Sequence, residues 1–153
     1  MALRIVQFAA VIAVALYLVP TGAHVFELPA KLSLAPADYM TVQRIYAGWA
    51  LFGGVIFTAL ALVLAQAIML RRSRTAFSLT VLALLALVTT QVIFWQATYP
   101  VNVATRNWTA MPEAFEAARR QWEFSHAASA ALTFLALAAL LGAVFATRSR
   151  PRD

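Results

Sequence analysis

The chain has 153 residues, of which 63% are hydrophobic and only 12% are charged, and its formal net charge is +6. This composition is too apolar for a soluble domain and is typical of an integral membrane protein. Because the sequence contains no cysteine, disulfides, thiolate metal sites, iron–sulfur clusters and cysteine nucleophiles are excluded.

Four apolar stretches are long enough to cross a bilayer, whose core of about 30 Å needs roughly 20 helical residues. We therefore predict an all-α fold, a transmembrane up-down four-helix bundle, made by residues 1–153 as one integral membrane domain. The predicted spans, in chain order, cover about 3–28, 37–70, 75–99 and 112–147.

Prolines set several of these boundaries. Leu28-Pro29 is expected to end the first helix and Pro100 the third, while Pro112 suits the first turn of the fourth. The second and fourth predicted helices are longer than the bilayer is thick, at about 1.5 Å per residue. We expect both to extend beyond the outer membrane face.

The basic residues identify the cytoplasmic side. With four spans, the three basic segments fall on one side, and short arginine-rich loops are retained in the cytoplasm. Both termini are thus expected to be cytoplasmic, and anionic lipid headgroups rather than nucleic acid account for the charge. The first apolar run resembles a secretory signal, but removing it would break this arrangement, so we keep it as a helix. The basic residues of these three segments are Arg4, Arg71, Arg72, Arg74, Arg148, Arg150 and Arg152.

The only two histidines stand in mirrored pairs with glutamate. "HVFE" places His24 one helical turn before Glu27, and "EFSH" places Glu123 one turn before His126. If the first and fourth helices are neighbours, two imidazoles and two carboxylates share one cavity on the non-cytoplasmic side. All four tryptophans and all four tyrosines are expected towards that same side. An ordinary aromatic belt marks both membrane interfaces, so this one-sided distribution favours a functional site at that end of the bundle.

The residue types allow several interpretations. Imidazole and carboxylate together suit iron, zinc or copper, so His24, Glu27, Glu123 and His126 are a candidate metal site. Haem between the two histidines is an alternative. A purely structural polar cluster is another, with Glu27–Lys31 and Glu123–Arg119 as intrahelical ion pairs.

Three segments resemble a known family. These are "YPVN" (99–102), "RRQWEFSH" (119–126) and "HVFELPAKLSL" with "YMTVQRIYAGW" (24–49). They are similar to the small four-helix membrane proteins of the anthrone-oxygenase-like family, with a Pro-x-Asn after the third helix and a Trp-x-x-x-His entering the fourth. Asn102, Trp122 and His126 match that pattern.

The resemblance implies oxidation of polycyclic anthrones to quinones by molecular oxygen with no added cofactor. A base would remove a carbon-bound proton from an aromatic substrate, and we expect His126, oriented by Glu123, in that role. Asn102 and Arg119 would stabilise the oxyanion. The residues expected to bind the flat substrate are Tyr39, Gln43, Tyr46, Trp49 and Trp122.

The predicted function is therefore a membrane oxidoreductase, oxygenase-like, that acts on a hydrophobic small molecule near the outer leaflet, with or without a bound metal. The alternative is a non-catalytic membrane subunit, or a haem- or ligand-binding protein, that docks a periplasmic partner. Expected partners are membrane lipid, the small molecule, and a second copy or another membrane protein; nucleic acid is not expected.

Overall fold

The structure, a computed structural model, describes residues 1–148, and every regular element in that range is helical, as predicted. Two 3₁₀ turns, Gln43–Tyr46 and Trp49–Phe52, separate α2 from α3, and a π-helical turn, Phe94–Thr98, joins α4 to α5. Arg150 and Arg152 of the predicted cytoplasmic tail lie outside the described residues. The α-helices are α1 (Ala2–Ser33), α2 (Pro36–Val42), α3 (Gly53–Leu70), α4 (Arg74–Ile93), α5 (Tyr99–Ala104) and α6 (Phe115–Arg148).

Four helical segments within residues 1–148 are long and apolar enough to cross a membrane. Their number and composition are consistent with a multi-pass membrane protein. Many large apolar side chains on their surfaces are exposed, Phe8 (70%) and Phe134 (65%) among them, as expected for faces that contact lipid. The segments are Ala2–Ser33, Trp49–Leu70, Arg74–Ala104 and Phe115–Thr147.

The four segments pack around a core of small side chains. The helix α6 contacts both α1 and α4, and α3 contacts the same two helices from the other side. Alanines without measurable exposure lie at these contacts, including Ala10, Ala59 and Ala136. Small residues let helix backbones approach closely in lipid, so the middle of the bundle is densely packed and the polar residues of the site lie towards one end.

The predicted continuous second helix, 37–70, is wrong. The chain leaves α2 at Gln43, passes through the two 3₁₀ turns, and resumes a regular helix only at Gly53. Between the turns Gly48 has φ +87, a left-handed conformation that glycine adopts without steric cost. This irregular segment carries Tyr46 and Trp49 at a different angle from either neighbouring helix.

The first and third helices run past the prolines that were expected to end them. Pro29 lies inside α1, which continues to Ser33; an internal proline removes only one backbone donor, and membrane helices tolerate it. Pro100 occupies the first turn of α5, where a backbone N–H would have no partner within that helix, so its absence costs no hydrogen bond. The continuation of α1 brings Lys31 into the site.

The fourth helix begins later than predicted, at Phe115 instead of Pro112. The loop before it contains three consecutive residues with left-handed φ, namely Arg106 (49), Asn107 (54) and Trp108 (62). Such a run in non-glycine residues is costly. Its result is that the Trp108 side chain is buried, with 4% exposure, against the aromatic cluster described next.

Candidate functional site

The two histidines meet at the end of the bundle, as the mirrored pairs predicted. Because α1 packs on α6, the ring centres of His24 and His126 lie 4.2 Å apart, with their planes inclined at 61°. The Trp122 ring contacts both, at 4.0 Å from His126 and 5.0 Å from His24. The shared site thus consists of an imidazole pair against an indole.

The tautomer of neutral His126 is fixed by the backbone. Its Nδ1 lies 2.9 Å from the carbonyl oxygen of Trp122, one turn earlier in α6. A carbonyl only accepts hydrogen bonds, so Nδ1 carries the proton and the lone pair of the neutral ring lies on Nε2. The predicted pairing of His126 with Glu123 is not formed, and the carbonyl orients the ring instead.

His24 is buried, with 4% exposure, and its Nδ1 has no hydrogen-bond partner among the described residues. Its ring packs on Tyr46 at 4.6 Å and on Trp49 at 5.6 Å, both supplied by the irregular segment after α2. Tyr46, Trp49 and His126 are only half-buried. A ligand would therefore reach the imidazoles past this aromatic edge.

A buried ion pair joins the two histidine-bearing helices. The ammonium of Lys31 lies 2.5 Å from Oε1 of Glu123, and their side chains are 3% and 0% exposed. Tyr39 donates a second hydrogen bond, of 2.8 Å, to the same oxygen, and Gln43 donates one of 2.6 Å to Tyr39. The other carboxylate oxygen, Oε2, has no partner among residues 1–148. The expected intrahelical pairs of Glu123 with Arg119 and of Lys31 with Glu27 are therefore wrong.

Glu27 belongs to the same network through a tyrosine. The Tyr46 hydroxyl donates to Glu27 and accepts a hydrogen bond of 3.2 Å from Lys31. Burial, and then the hydrogen bond to Glu27, raise the pKa of Tyr46 far above its ordinary value. Burial and the nearby Glu123 charge do the same to the pKa of Tyr39. Both hydroxyls consequently stay protonated and act as donors to carboxylates.

Asn102 holds Trp122 rather than a substrate oxygen. Its Oδ1 accepts a hydrogen bond of 2.8 Å from the indole N–H of Trp122. On a further side of the same indole, Trp108 packs edge-on at 5.9 Å. The two residues that match the Pro-x-Asn and Trp-x-x-x-His pattern, Asn102 and Trp122, therefore bind each other. Their hydrogen bond fixes the indole ring against which both histidines pack.

Arg119 is committed to other partners. Its guanidinium donates to the carbonyl of Leu34 at 2.8 Å and to Glu116 at 2.6 Å, and it lies over the rings of Tyr39 and Phe115. Seven residues of helix, about 10 Å along the axis, separate it from His126. The structure therefore gives Arg119 a role in closing the end of α1 and does not place it beside the imidazoles.

The metal and haem predictions gain no support from this geometry. Among residues 1–148, no group of three or more histidine or acidic side chains is placed to hold a metal ion. A tetrahedral ion at about 2.0–2.1 Å from one nitrogen of each ring would hold the ring centres about 5 Å apart, so His24 and His126 would have to separate. A haem between them would require a larger separation. Metal binding by His24, Glu27, Glu123 and His126 stays a prediction.

Lys31 is the site residue that sequence reasoning undervalued. Its place on the same helical face as His24 and Glu27 was visible, but the four-residue spacing pointed to an intrahelical pair with Glu27. It is the only lysine in the chain, but nothing in the sequence identifies its partner on α6, because the first helix was expected to end before Lys31. A buried cation in an apolar helix requires a carboxylate from another helix.

Comparison of the chain with protein-family models, with curated proteins and with solved structures finds no match.

Proposed function

We propose that the chain is a membrane oxidoreductase of the oxygenase type, which removes a proton from a flat, apolar aromatic molecule and lets the resulting anion react with molecular oxygen. The observation that carries this proposal is the state of His126. Its Nδ1–H is held by a carbonyl, its Nε2 makes no hydrogen bond within residues 1–148, and the ring lies against aromatic side chains at a half-buried edge. A fixed tautomer with a free nitrogen is what a general base requires.

The surroundings suit an apolar aromatic substrate. The half-buried rings of Tyr46 and Trp49 supply an aromatic edge against which a flat ring system can pack, with the buried Trp122 ring behind Tyr46. Exposed apolar side chains of α1 and the turn before α3, such as Phe26 (87%) and Leu51 (85%), lie near these rings in sequence. We propose that the substrate enters from lipid past this edge.

The reaction balances without a further co-reactant. The Nε2 atom of His126 takes a proton from a ring CH₂, leaving an anion that is oxidised by O₂ as a new C–O bond forms. The resulting peroxide anion takes back the proton from His126, and the hydroperoxide so formed loses water, which leaves the carbon as a ketone. One CH₂ and one O₂ give one C=O and one H₂O. The resemblance to the anthrone-oxygenase-like family points to the same chemistry.

The proposed topology is an up-down bundle with both termini in the cytoplasm and the site near the outer leaflet. The arginines between α3 and α4, and Arg4 before the first span, support this orientation. Residues 36–46 and the first turns of α6 would then extend beyond the outer membrane face. In the competing role, as a non-catalytic subunit, the same polar end would dock a periplasmic partner.

An oxygen-consumption assay tests the function. Purified protein in detergent micelles is expected to convert anthrone to anthraquinone with one O₂ consumed per anthrone, well above the rate in protein-free micelles. Metal content is measured on the same preparation. A rate equal to that of empty micelles would contradict the proposal and leave the docking role. Stoichiometric metal that is lost in both His24→Ala and His126→Ala would support the predicted metal site instead.

A further inference from the structure

Lys31 makes more contacts than it needs to neutralise the charge of Glu123. Its ammonium lies over three aromatic rings, at 4.6 Å from the centres of Tyr46 and Trp122 and 5.4 Å from that of Tyr39. Together with the ion pair, these contacts fix the position of a buried cation whose flexible stem would otherwise allow many positions.

The ammonium keeps a free donor. Of its three N–H groups, one points to Glu123 and one to the Tyr46 hydroxyl. The third has no oxygen or nitrogen acceptor among residues 1–148 and is left to the aromatic rings, although the side chain is only 3% exposed. A buried donor without an acceptor is costly, which makes the third N–H available to a ligand oxygen.

The ammonium and the imidazoles share the same aromatic neighbours. Tyr46 and Trp122 each contact both the Lys31 ammonium and the His24 ring, and Trp122 also contacts His126. A flat molecule packed on these rings can therefore meet an imidazole with one atom and the ammonium with another. Of the other candidate groups, Arg119 donates to Leu34 and Glu116 and lies two helical turns from His126, and the Asn102 amide oxygen accepts a hydrogen bond from the Trp122 indole.

From this arrangement we infer that Lys31 binds the substrate oxygen on which negative charge develops. The inference rests on the proposed function and deepens it, because it assigns the group that would bind the carbonyl oxygen of such a substrate. When His126 takes the proton, the C–H electron pair moves into the ring and the charge arrives on the carbonyl oxygen. Lys31 donates a hydrogen bond to that oxygen, and no bond within the lysine breaks.

A structural role must be separated from this catalytic one. Lys31→Met alone would leave the Glu123 carboxylate buried and unpaired, so loss of activity would be uninformative. The double variant Lys31→Met/Glu123→Gln removes both charges at nearly constant volume, a change that buried ion pairs often tolerate. If Lys31 only neutralises Glu123, this variant is expected to behave like wild type.

The decisive readout is the enolate of anthrone, observed by absorption without oxygen. Binding is followed by quenching of tryptophan fluorescence. Wild type is expected to bind anthrone and ionise it. The double variant is expected to bind with a dissociation constant within about threefold of wild type and to lose at least tenfold in the enolate fraction, since one tenfold step is only about 1.4 kcal/mol of interaction. Equal enolate fractions in the two proteins would overturn the inference while leaving the proposed function intact.

A second measurement needs no variant. Lys31 is the only lysine, so protein labelled with ¹⁵N-lysine gives one side-chain nitrogen resonance. Anaerobic addition of anthrone is expected to shift that resonance, and an unchanged resonance in protein that forms the enolate would overturn the inference. Failure of wild type both to form the enolate and to oxidise anthrone would instead contradict the proposed function.

Discussion

Replacing Glu123 with alanine is expected to lower the free energy of unfolding by about 3–5 kcal/mol, because it leaves the Lys31 ammonium buried without its counter-ion. The Tyr39 hydroxyl would also lose its acceptor. Both losses fall at the contact between α1 and α6, so the two helices are expected to separate more readily at the site. The measurement is unfolding by sodium dodecyl sulfate titrated into mixed micelles, followed by circular dichroism.

Glu116→Ala is the matched control for that experiment. Glu116 lies two turns earlier on the same helix and also forms an ion pair, with Arg119, but its side chain is 63% exposed. Exposed pairs contribute about 0–1 kcal/mol, so this variant is expected to unfold close to wild type. Equal destabilisation by the two substitutions would show that the Lys31–Glu123 pair is not buried as described.

His126→Ala is expected to lower kcat/KM for anthrone oxidation by about 10²- to 10⁴-fold, the range for loss of a general base. The reason is that Nε2 of His126 is the nitrogen whose lone pair is left free by the Trp122 carbonyl. Initial rates of oxygen consumption, corrected for empty micelles, give the ratio.

Ser129→Ala provides the comparison, since Ser129 is buried one turn further along α6, where its backbone carbonyl accepts a hydrogen bond from Thr133. Its activity is expected to equal that of wild type. Wild-type activity in His126→Ala would exclude His126 as the base and would direct attention to His24.

The spans were predictable from sequence because long apolar runs without charge determine them. What could not be read was the break after α2. The break contains two 3₁₀ turns with a left-handed Gly48 between them. The hydrophobicity of a segment does not show where its helix is interrupted. Proline also predicted the helix ends poorly, since Pro29 lies inside α1, which tolerates one missing donor, and Pro100 lies in the first turn of α5, where no donor is needed.

The site was predictable in part. Helical spacing put each histidine on one face with a glutamate, which predicted a shared cavity if the first and fourth helices are neighbours, and the structure brings the two rings together. The partners of the carboxylates were predicted wrongly. An intrahelical pair four residues apart stabilises by only about 0.2–0.5 kcal/mol, so a buried partner from another helix outweighs it. Sequence spacing shows the first kind of pair and is silent about the second.

Both the proposed site and its chemistry require that the two imidazoles meet, and nuclear magnetic resonance of histidine-labelled protein can detect this contact. With only two histidines, selective ¹³C,¹⁵N labelling gives two ring systems. The ring centres lie 4.2 Å apart, so a nuclear Overhauser effect between ring protons of His24 and His126 is predicted, with the ¹⁵N shifts of His126 showing a protonated Nδ1. The absence of an Overhauser effect between the two rings would show that the imidazoles do not meet. A His126 protonated at Nε2 alone would show that its ring is not held by the Trp122 carbonyl.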